Sequence, residues 1–411
     1  MLAKIKSYYE SKREQFDNIV NKLDYAILIL YGLFVFEAFL RSTTFVINWN
    51  PLYHFSLKLI LIFLVFSKSL FKFVDNIPLY LILGFSSIGF LLAYLQGNHG
   101  ILLELILFTI ALIDIDYKKL ITTFTIIISI SLFIVFLASQ TDIINNLIYT
   151  TANNSTRISF GIHYPTNFAS YILYLCLAWG FIREKRICYI EIFIMFLLAI
   201  FVYYFCAART STACIILFSL LMLLHKRFQK QPLKKSKNFF ANLSVFAVPL
   251  CALLSILLSY FYKPNNTLFT KIDSLLSNRL YYGNKALTEY DILLFGQNIK
   301  MEGNGGYSIP WCNNYDYGKS GYNFIDSSYV SILMRYGLFV FICVIILFTL
   351  TSYAAKKNKD YITLTIISII AIHCIMEHHM LDFNYNPFMF LLVSSFYKKY
   401  KHISTTEEVM S

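Results

Sequence analysis

Long continuous runs of apolar residues, separated by short polar segments, dominate the pattern along this chain. A run of about 20 apolar residues spans the hydrocarbon core of a bilayer as an α-helix. Because the runs are unbroken rather than alternating, they predict helices and not the strands of a transmembrane barrel. The pattern predicts about twelve transmembrane helices, near residues 24–41, 55–73, 77–95, 100–115, 119–138, 164–182, 189–207, 210–225, 239–261, 328–353, 361–377 and 385–397.

Composition supports a fold embedded in lipid. Hydrophobic residues make up 57% of the 411 residues. Charged residues make up only 14%, against roughly 25% in a soluble domain. A water-soluble core cannot hide so much apolar surface, which excludes a soluble enzyme, a disordered chain and a fibrous protein. We therefore expect an all-α polytopic integral membrane protein that forms one membrane domain over residues 1–411.

The distribution of basic residues predicts the topology. The net charge is +12, which would suggest a nucleic-acid partner in a soluble protein. Here most of the 35 Lys and Arg residues lie in alternate connections when the N-terminus is placed in the cytoplasm, as the positive-inside rule requires. We expect both termini in the cytoplasm and no nucleic-acid partner. No disulfide framework and no cleavable signal peptide are expected.

A long polar segment at 262–327 is extracytoplasmic on this topology. Its first part has apolar residues at helical spacing, which predicts one or two short interfacial helices. Its second part, which contains Cys312, is rich in Gly, Asn and Tyr and predicts irregular structure. Loops of this length within a compact protein are usually functional.

Polar residues near the outer ends of the predicted helices are the candidate functional residues, because charge at membrane depth is costly. They are Arg157, His163, Arg209, Arg279, Asp326, Arg335, Glu377, His378, His379 and Asp382. A single arginine at a helix end usually extends to the headgroups. Several on one face suit a pyrophosphate, because the guanidinium fork binds such oxygens bidentately. Glu37 and Glu104 either pair with these arginines or are interfacial.

The segment around His373, Glu377, His378 and His379 has residue types that bind metals. His373 and Glu377 are four residues apart and share one face of a continued helix, but adjacent His378 and His379 would diverge on it. We therefore expect no metal and no cofactor here. We expect Glu377 to pair with an arginine instead.

Five segments, in this order, resemble the bacterial O-antigen and capsular or exopolysaccharide polymerase family (Wzy-type), which is related to the O-antigen ligases. The segments are TRISFGIHYPTNFAS, AARTSTACIILFSL, KIDSLLSNRLYYGNKALTEYDILLFGQNI, FIDSSYVSILMRYGLFVF and MEHHMLDFNYNPFMFLL. The resemblance covers roughly residues 155–395. The first five predicted helices match only as hydrophobic helices.

The resemblance implies a fold like that of the C-type membrane glycosyltransferases. It implies metal-independent glycosyl transfer at the outer face of the bacterial cytoplasmic membrane. Polyprenyl-pyrophosphate-linked oligosaccharides would be both donor and acceptor, with membrane lipids around them, and a flippase and a chain-length regulator are implied partners.

The resemblance also implies residue roles. Arg157, Arg209 and Arg279 would bind the pyrophosphate. Asp326 matches the acidic residue of the family's Asp-Asn-Ser-Tyr segment and is the first candidate for the general base, which takes a proton from the attacking sugar hydroxyl. His163 is the second candidate, because a histidine is neutral near pH 7. The supporting residues are Arg335, Glu377 and His378. The alternative for Asp326 is that it caps the helix that follows.

Two other functions stay open. A ligase-type transferase would use the same donor and a different acceptor. Ligases often carry His at the position of Asp326, which favours the polymerase. A lipid-linked oligosaccharide flippase would have charges along a cavity that reaches both faces, and often internal repeats. In this chain the candidate charges are predicted to lie on one side.

Overall fold

The computed structural model describes residues 12–72, 77–150, 156–227, 235–301, 303 and 323–391. Cys312 and residues 392–397 of the predicted helix at 385–397 lie outside this part of the chain. The helices are α1 (Arg13–Arg41), α2 (Pro51–Lys72), α3 (Ile77–Gly97), α4 (Gly100–Ala111), α5 (Tyr117–Gln140), α6 (Pro165–Arg183), α7 (Tyr189–Phe201), α8 (Arg209–Arg227), α9 (Lys235–Val245), α10 (Ala247–Tyr260), α11 (Thr267–Leu275), α12 (Arg279–Glu289), α13 (Ser328–Ser331), α14 (Gly337–Lys357) and α15 (Tyr361–His373).

Irregular helical segments and one small sheet complete the described chain. A π-helical turn, Val202–Cys206, extends α7, and a second one, Ile332–Tyr336, joins α13 to α14. Three 3-10 turns lie at Glu184–Arg186, His379–Leu381 and Pro387–Phe390. The antiparallel strands are β1 (Ile148–Thr150) and β2 (Thr156–Ile158).

Within the described residues, eight helical segments are long and apolar enough to cross a membrane, among them the continuous segment Ser328–Lys357. Three shorter apolar helices, α4, α10 and α15, accompany them. Large apolar side chains point outward, for example Phe85, which is 78% exposed. A surface of this kind is stable against lipid rather than water. The prediction of a multi-span α-helical membrane protein is thus confirmed.

Several helices end at other residues than the sequence predicts. The helix predicted at 100–115 ends at Ala111, because Lys68 Nζ donates to the carbonyl oxygens of Ala111 and Ile113, and Asp114 has a left-handed φ of 70°. The single helix predicted at 239–261 is divided at Phe246 into α9 and α10. Pro249 explains the break, because its ring clashes with the carbonyl group four residues earlier.

The helix predicted at 361–377 ends at His373. The Ser328 amide donates to the carbonyl oxygen of Cys374 over 3.0 Å, and the Ser328 hydroxyl donates to that of Glu377 over 2.6 Å. The start of α13 thus binds carbonyl groups at the end of α15, and the chain turns there. This turn brings Glu377 and the residues after it against α13.

Buried aromatic rings fill the centre of the bundle, where α1, α4, α5, α6, α8 and α15 pack. Phe108 packs edge-on against Tyr31 and Phe34, with ring centroids 5.6 and 5.2 Å apart. Edge-to-face pairs of this kind stabilise by about 0.5–1.5 kcal/mol beyond their buried area.

Ion pairs attach α2 to its neighbours at both of its ends. At one end, the fully buried Lys68 lies 2.7 Å from Asp24 of α1. At the other end, His54 lies between two buried carboxylates, 3.0 Å from Glu37 and 3.1 Å from Glu104. The partners of Glu37 and Glu104 are therefore on the first four helices and are not Arg157, Arg209 or Arg279.

Two glycines let a segment before α13 lie directly on the turn before α14. Gly296 has a φ of 76° and Gly337 a φ of 93°. The amide of Gln297 donates to the carbonyl oxygen of Arg335 over 3.0 Å, and His99 Nε2 lies 3.2 Å from the same oxygen. A Cβ on Gly296 would lie 2.1 Å from that oxygen. The contact therefore requires glycine.

Candidate functional site

Three segments that are distant in sequence meet at one end of the bundle: the start of α12, the residues before α13 and the turn after α15. Each supplies one charged side chain, Arg279, Asp326 and Glu377 respectively. Asp273 fixes the start of α12, because its Oδ1 accepts hydrogen bonds from the amides of Leu280 over 2.8 Å and Tyr281 over 3.3 Å. The fold therefore determines where Arg279 lies.

Arg279 is bound between the two carboxylates. Its Nη2 donates to Glu377 Oε1 over 2.9 Å, and its Nε lies 3.9 Å from Asp326 Oδ2. The expectation that Glu377 pairs with an arginine is confirmed. Both Arg279 and Asp326 keep some solvent contact, with side chains 14% and 16% exposed, whereas Glu377 is buried. Asp326 is thus the carboxylate of this cluster that is open to solvent.

Burial determines the electrostatics of Glu377. Removal from water raises the pKa of the Glu377 carboxyl, the Arg279 guanidinium lowers it, and the Asp326 carboxylate raises it further. Breaking a buried ion pair by removing one partner is strongly destabilising, because the other charge then lacks compensation. A substitution of Arg279 is therefore expected to affect the fold of this turn as well as any chemistry.

Tyr164 lies among these charges and is a residue that the sequence reasoning missed. Burial raises the pKa of the Tyr164 phenol, on which the charges of Arg157, Asp326, Arg279 and Glu377 also act. The Arg157 guanidinium lies 5.8 Å from the centroid of the Tyr164 ring. The chain has 31 tyrosines, so residue type alone did not single out Tyr164. Its position just before Pro165 was the available signal.

Arg157 is positioned by backbone contacts. It lies on β2, and its Nε donates to the carbonyl oxygen of Cys206 over 3.0 Å. This bond leaves the terminal nitrogens of the guanidinium for other acceptors. The charges of Arg157 and Arg279 both act on the Tyr164 phenol, so the two arginines lie in the same region.

Arg209 does not join this group. It is exposed at the first residue of α8, after Ala207 in a left-handed turn with a φ of 47°. No ion-pair partner of Arg209 is found within the described residues. The structure thus brings together two of the three arginines predicted to bind pyrophosphate and leaves the third at the surface.

His163 is held at the same end of the bundle by its backbone. Its amide donates to the carbonyl oxygen of Ser42 over 2.8 Å, and its carbonyl oxygen accepts from the Tyr149 hydroxyl over 2.6 Å. Burial lowers the pKa of the His163 imidazole, which keeps it neutral at pH 7. A neutral imidazole is able to accept a proton.

The capping alternative for Asp326 is wrong. Ser327 occupies the N-cap position of α13, and its hydroxyl lies 2.7 Å from that of Ser255. Asp326 precedes the cap by one residue, and its carboxylate faces Arg279 instead.

Two cavities lie near these residues. One, of about 110 Å³, is lined by Arg335, His378 and Asp382 together with the α13 serines. The other, of about 490 Å³, is a mostly apolar groove lined by Thr156, Ile158, Ile200, Phe201, Tyr204 and Phe205. Thr156 and Ile158 belong to β2, and Arg157 lies between them in the strand and therefore beside the groove.

The expectation that His378 and His379 diverge is wrong. Their ring centroids are only 4.2 Å apart, because α15 ends before them and His379 begins a 3-10 turn. Glu377, His378 and His379 each offer one ligand atom, and these atoms lie within 4.8 Å of one another.

Comparisons of this chain with protein-family models, with curated proteins and with solved structures found no match.

Proposed function

We propose that this protein is a polysaccharide polymerase of the outer face of the bacterial cytoplasmic membrane. It joins oligosaccharide repeat units carried on polyprenyl pyrophosphate, in a fold of twelve transmembrane helices like that of C-type membrane glycosyltransferases. Both termini lie in the cytoplasm, and the 262–327 loop lies outside. A flippase supplies the substrate, and a chain-length regulator acts on the product.

The observation that carries this proposal is the partly exposed Arg279, bound to one buried and one accessible carboxylate at the end of an apolar bundle. Glycosyl transfer forms a bond between an acceptor hydroxyl oxygen and the anomeric carbon of the donor. It breaks the bond from that carbon to the pyrophosphate oxygen, which leaves as an anion. The Arg279 guanidinium, already held in place beside the leaving pyrophosphate, would stabilise the negative charge that develops on it.

Asp326 takes the proton of the acceptor hydroxyl in this scheme. Its Oδ2 lies 3.9 Å from Arg279 Nε and its side chain is 16% exposed, so the carboxylate is close to the guanidinium and open to solvent. Glu377, at 2.9 Å, is the structural partner that keeps Arg279 in place. The two carboxylates thus divide the positioning and the proton transfer between them.

The groove beside Arg157 suits the lipid part of the substrate. Phe201, Tyr204 and Phe205 give it an apolar wall. A polyprenyl chain in this groove would place its pyrophosphate next to β2, from which Arg157 reaches toward Tyr164. Arg209, exposed at the start of α8, is the cation that closes on the pyrophosphate when substrate binds.

The proposal is tested by reconstituting the purified protein in lipid nanodiscs with a polyprenyl-pyrophosphate-linked oligosaccharide as the only sugar. A polymerase yields a ladder of products and free polyprenyl pyrophosphate. A ligase needs a different acceptor and yields no ladder. A flippase leaves the substrate unchanged, and either of these two results would refute the proposal.

A further inference from the structure

The turn after α15 brings together three side chains of metal-binding type, Glu377, His378 and His379. One ligand atom of each lies within 4.8 Å of the other two. Two imidazoles and one carboxylate form a donor set that Zn²⁺ binds, with the fourth position left for water or another ligand. We propose that this turn is a binding site for a divalent transition-metal cation of the Zn²⁺ class.

Unpaired ring nitrogens support the site independently of the distances. His379 is fully buried, yet neither of its ring nitrogens has a hydrogen-bond partner in the described part of the chain. The same holds for Nδ1 of His378. A buried polar group left without a hydrogen-bond partner destabilises the folded protein. Coordination of a cation would satisfy a lone pair on each ring.

The surroundings of His379 match those of a metal-bound histidine. Oδ2 of Asp382 lies 3.8 Å from Nδ1 of His379, which is slightly too long for a hydrogen bond. A small rotation would let Nδ1–H donate to Asp382 and leave Nε2 for the cation, an arrangement common behind metal-bound imidazoles. The Tyr385 ring stacks on His379 with centroids 3.8 Å apart and fixes the plane of the imidazole.

The ligand atoms need to move little to reach metal geometry. Tetrahedral Zn²⁺ with bonds of about 2.0–2.1 Å places its ligand atoms roughly 3.4 Å apart, so a pair now 4.8 Å apart would close by about 1.4 Å. His378 and Asp382 also line the 110 Å³ cavity, which gives the cation a route in and space for a water molecule. Arg335 lines this cavity as well, and the Asp382 carboxylate offsets its charge.

The role that follows is positional. Glu377 would bind the cation while it keeps its 2.9 Å contact with Arg279. The cation would fix the turn and, through Glu377, the orientation of Arg279. This inference does not rest on the proposed glycosyl transfer, and its test measures the cation alone.

The test uses the full-length protein, purified in detergent through an affinity tag that lacks histidine. The protein is stripped with a chelator and then titrated with Zn²⁺, with Co²⁺ as a spectroscopic substitute. We expect one tightly bound Zn²⁺ per chain and Co²⁺ ligand-field bands typical of four-coordinate nitrogen and oxygen ligands. We also expect Zn²⁺ to raise the melting temperature of the stripped protein.

His378→Gln is the main variant, because His378 is only partly buried and the change preserves a polar side chain. It should weaken Zn²⁺ binding by at least roughly tenfold. His225→Ala, at the opposite end of the bundle on α8, should bind like the wild type. Two results would overturn the site: a wild-type protein that binds no stoichiometric cation and gains no thermal stability, or unchanged affinity in His378→Gln.

Discussion

Arg279 and Asp326 show how much of the site depends on single side chains. Asp326 lies just before α13 and is 47 positions after Arg279 of α12, yet the fold brings their side chains to within 3.9 Å of each other. The sequence identified both residues by their cost at membrane depth. It did not identify their contact, because the contact depends on how α12 packs against α10 and α13.

The first prediction concerns the proposed pyrophosphate clamp. Arg279→Lys keeps the charge but loses the bidentate fork, so polymer formation should fall by about tenfold or more, since hydrogen bonds to charged groups contribute about 1.5–3 kcal/mol. Arg209→Lys should also lose most polymer, because Arg209 is proposed to bind the pyrophosphate of the bound substrate and lysine lacks the bidentate fork. Arg227→Lys, exposed at the far end of α8, is the matched control and should keep normal polymer.

Product length in reconstituted nanodiscs measures the effect, and membrane insertion and melting temperature show whether each variant folds. Wild-type polymer from both Arg279→Lys and Arg209→Lys would refute the clamp. Loss in Arg279→Lys alone would restrict the clamp to the arginines near Tyr164.

Tyr164 and the positions of His378 and His379 could not be predicted from the sequence, for physical reasons. Tyr164 has an ordinary residue type in a tyrosine-rich chain, and only its surrounding charges distinguish it. The prediction that His378 and His379 diverge is wrong because the helix ends at His373 and does not continue past it. Hydrogen bonds from Ser328 bind the carbonyl groups that follow the helix, and the local sequence around His373 does not predict these distant contacts.

At the scale of elements, the apolar runs predicted most helices, because a backbone in lipid has few alternatives to the helix. The irregular points were harder to predict. The division between α9 and α10 follows from Pro249 and was open to a sequence argument. The end of α4 follows from Lys68, which lies 43 residues earlier and binds the Ala111 carbonyl group.

The second prediction concerns the contact of Gly296 with the turn before α14. Gly296→Ala adds a Cβ that would lie 2.1 Å from the Arg335 carbonyl oxygen at a φ of 76°. We expect a loss of about 2 kcal/mol or more in stability. Gly84→Ala is the control, since no atom lies within 4 Å of its added Cβ.

Melting temperature in detergent measures both glycine variants. Gly84→Ala should melt at or slightly above the wild-type temperature, because alanine favours the helix. If Gly296→Ala has the same melting temperature as Gly84→Ala, the prediction is contradicted, and the segment that contains Gly296 does not pack closely on the Arg335 carbonyl group.

At the scale of the whole molecule, the residues of the site lie at one end of the bundle, and contacts of two lysines with backbone carbonyl groups lie at the other. Lys68 and Lys226 both bind backbone carbonyl groups at that second end. The distribution of Lys and Arg in the sequence predicts that this second end is cytoplasmic. Sidedness follows from charge and not from packing, so it needs its own measurement.

The third prediction is that Cys312 is extracytoplasmic. A membrane-impermeant maleimide should label it in intact cells. Cys188 is the paired control: it is partly buried at the start of α7, beside a basic turn, and should react only after permeabilisation. Cys312→Ser should abolish the labelling of intact cells. Labelling of Cys312 only after permeabilisation would overturn the topology and, with it, the location of the site.

The central claim is that Asp326 is the base of a polymerising glycosyl transfer, and the product length of Asp326→Asn tests it most directly. The variant removes the basic carboxylate and preserves the side-chain shape, and Asp142→Asn, in an exposed loop, is its control. We predict that reconstituted Asp326→Asn folds, binds donor and leaves only single repeat units, whereas Asp142→Asn makes the wild-type ladder. Long polymer at the wild-type rate from Asp326→Asn would contradict the account and make His163 the base to test.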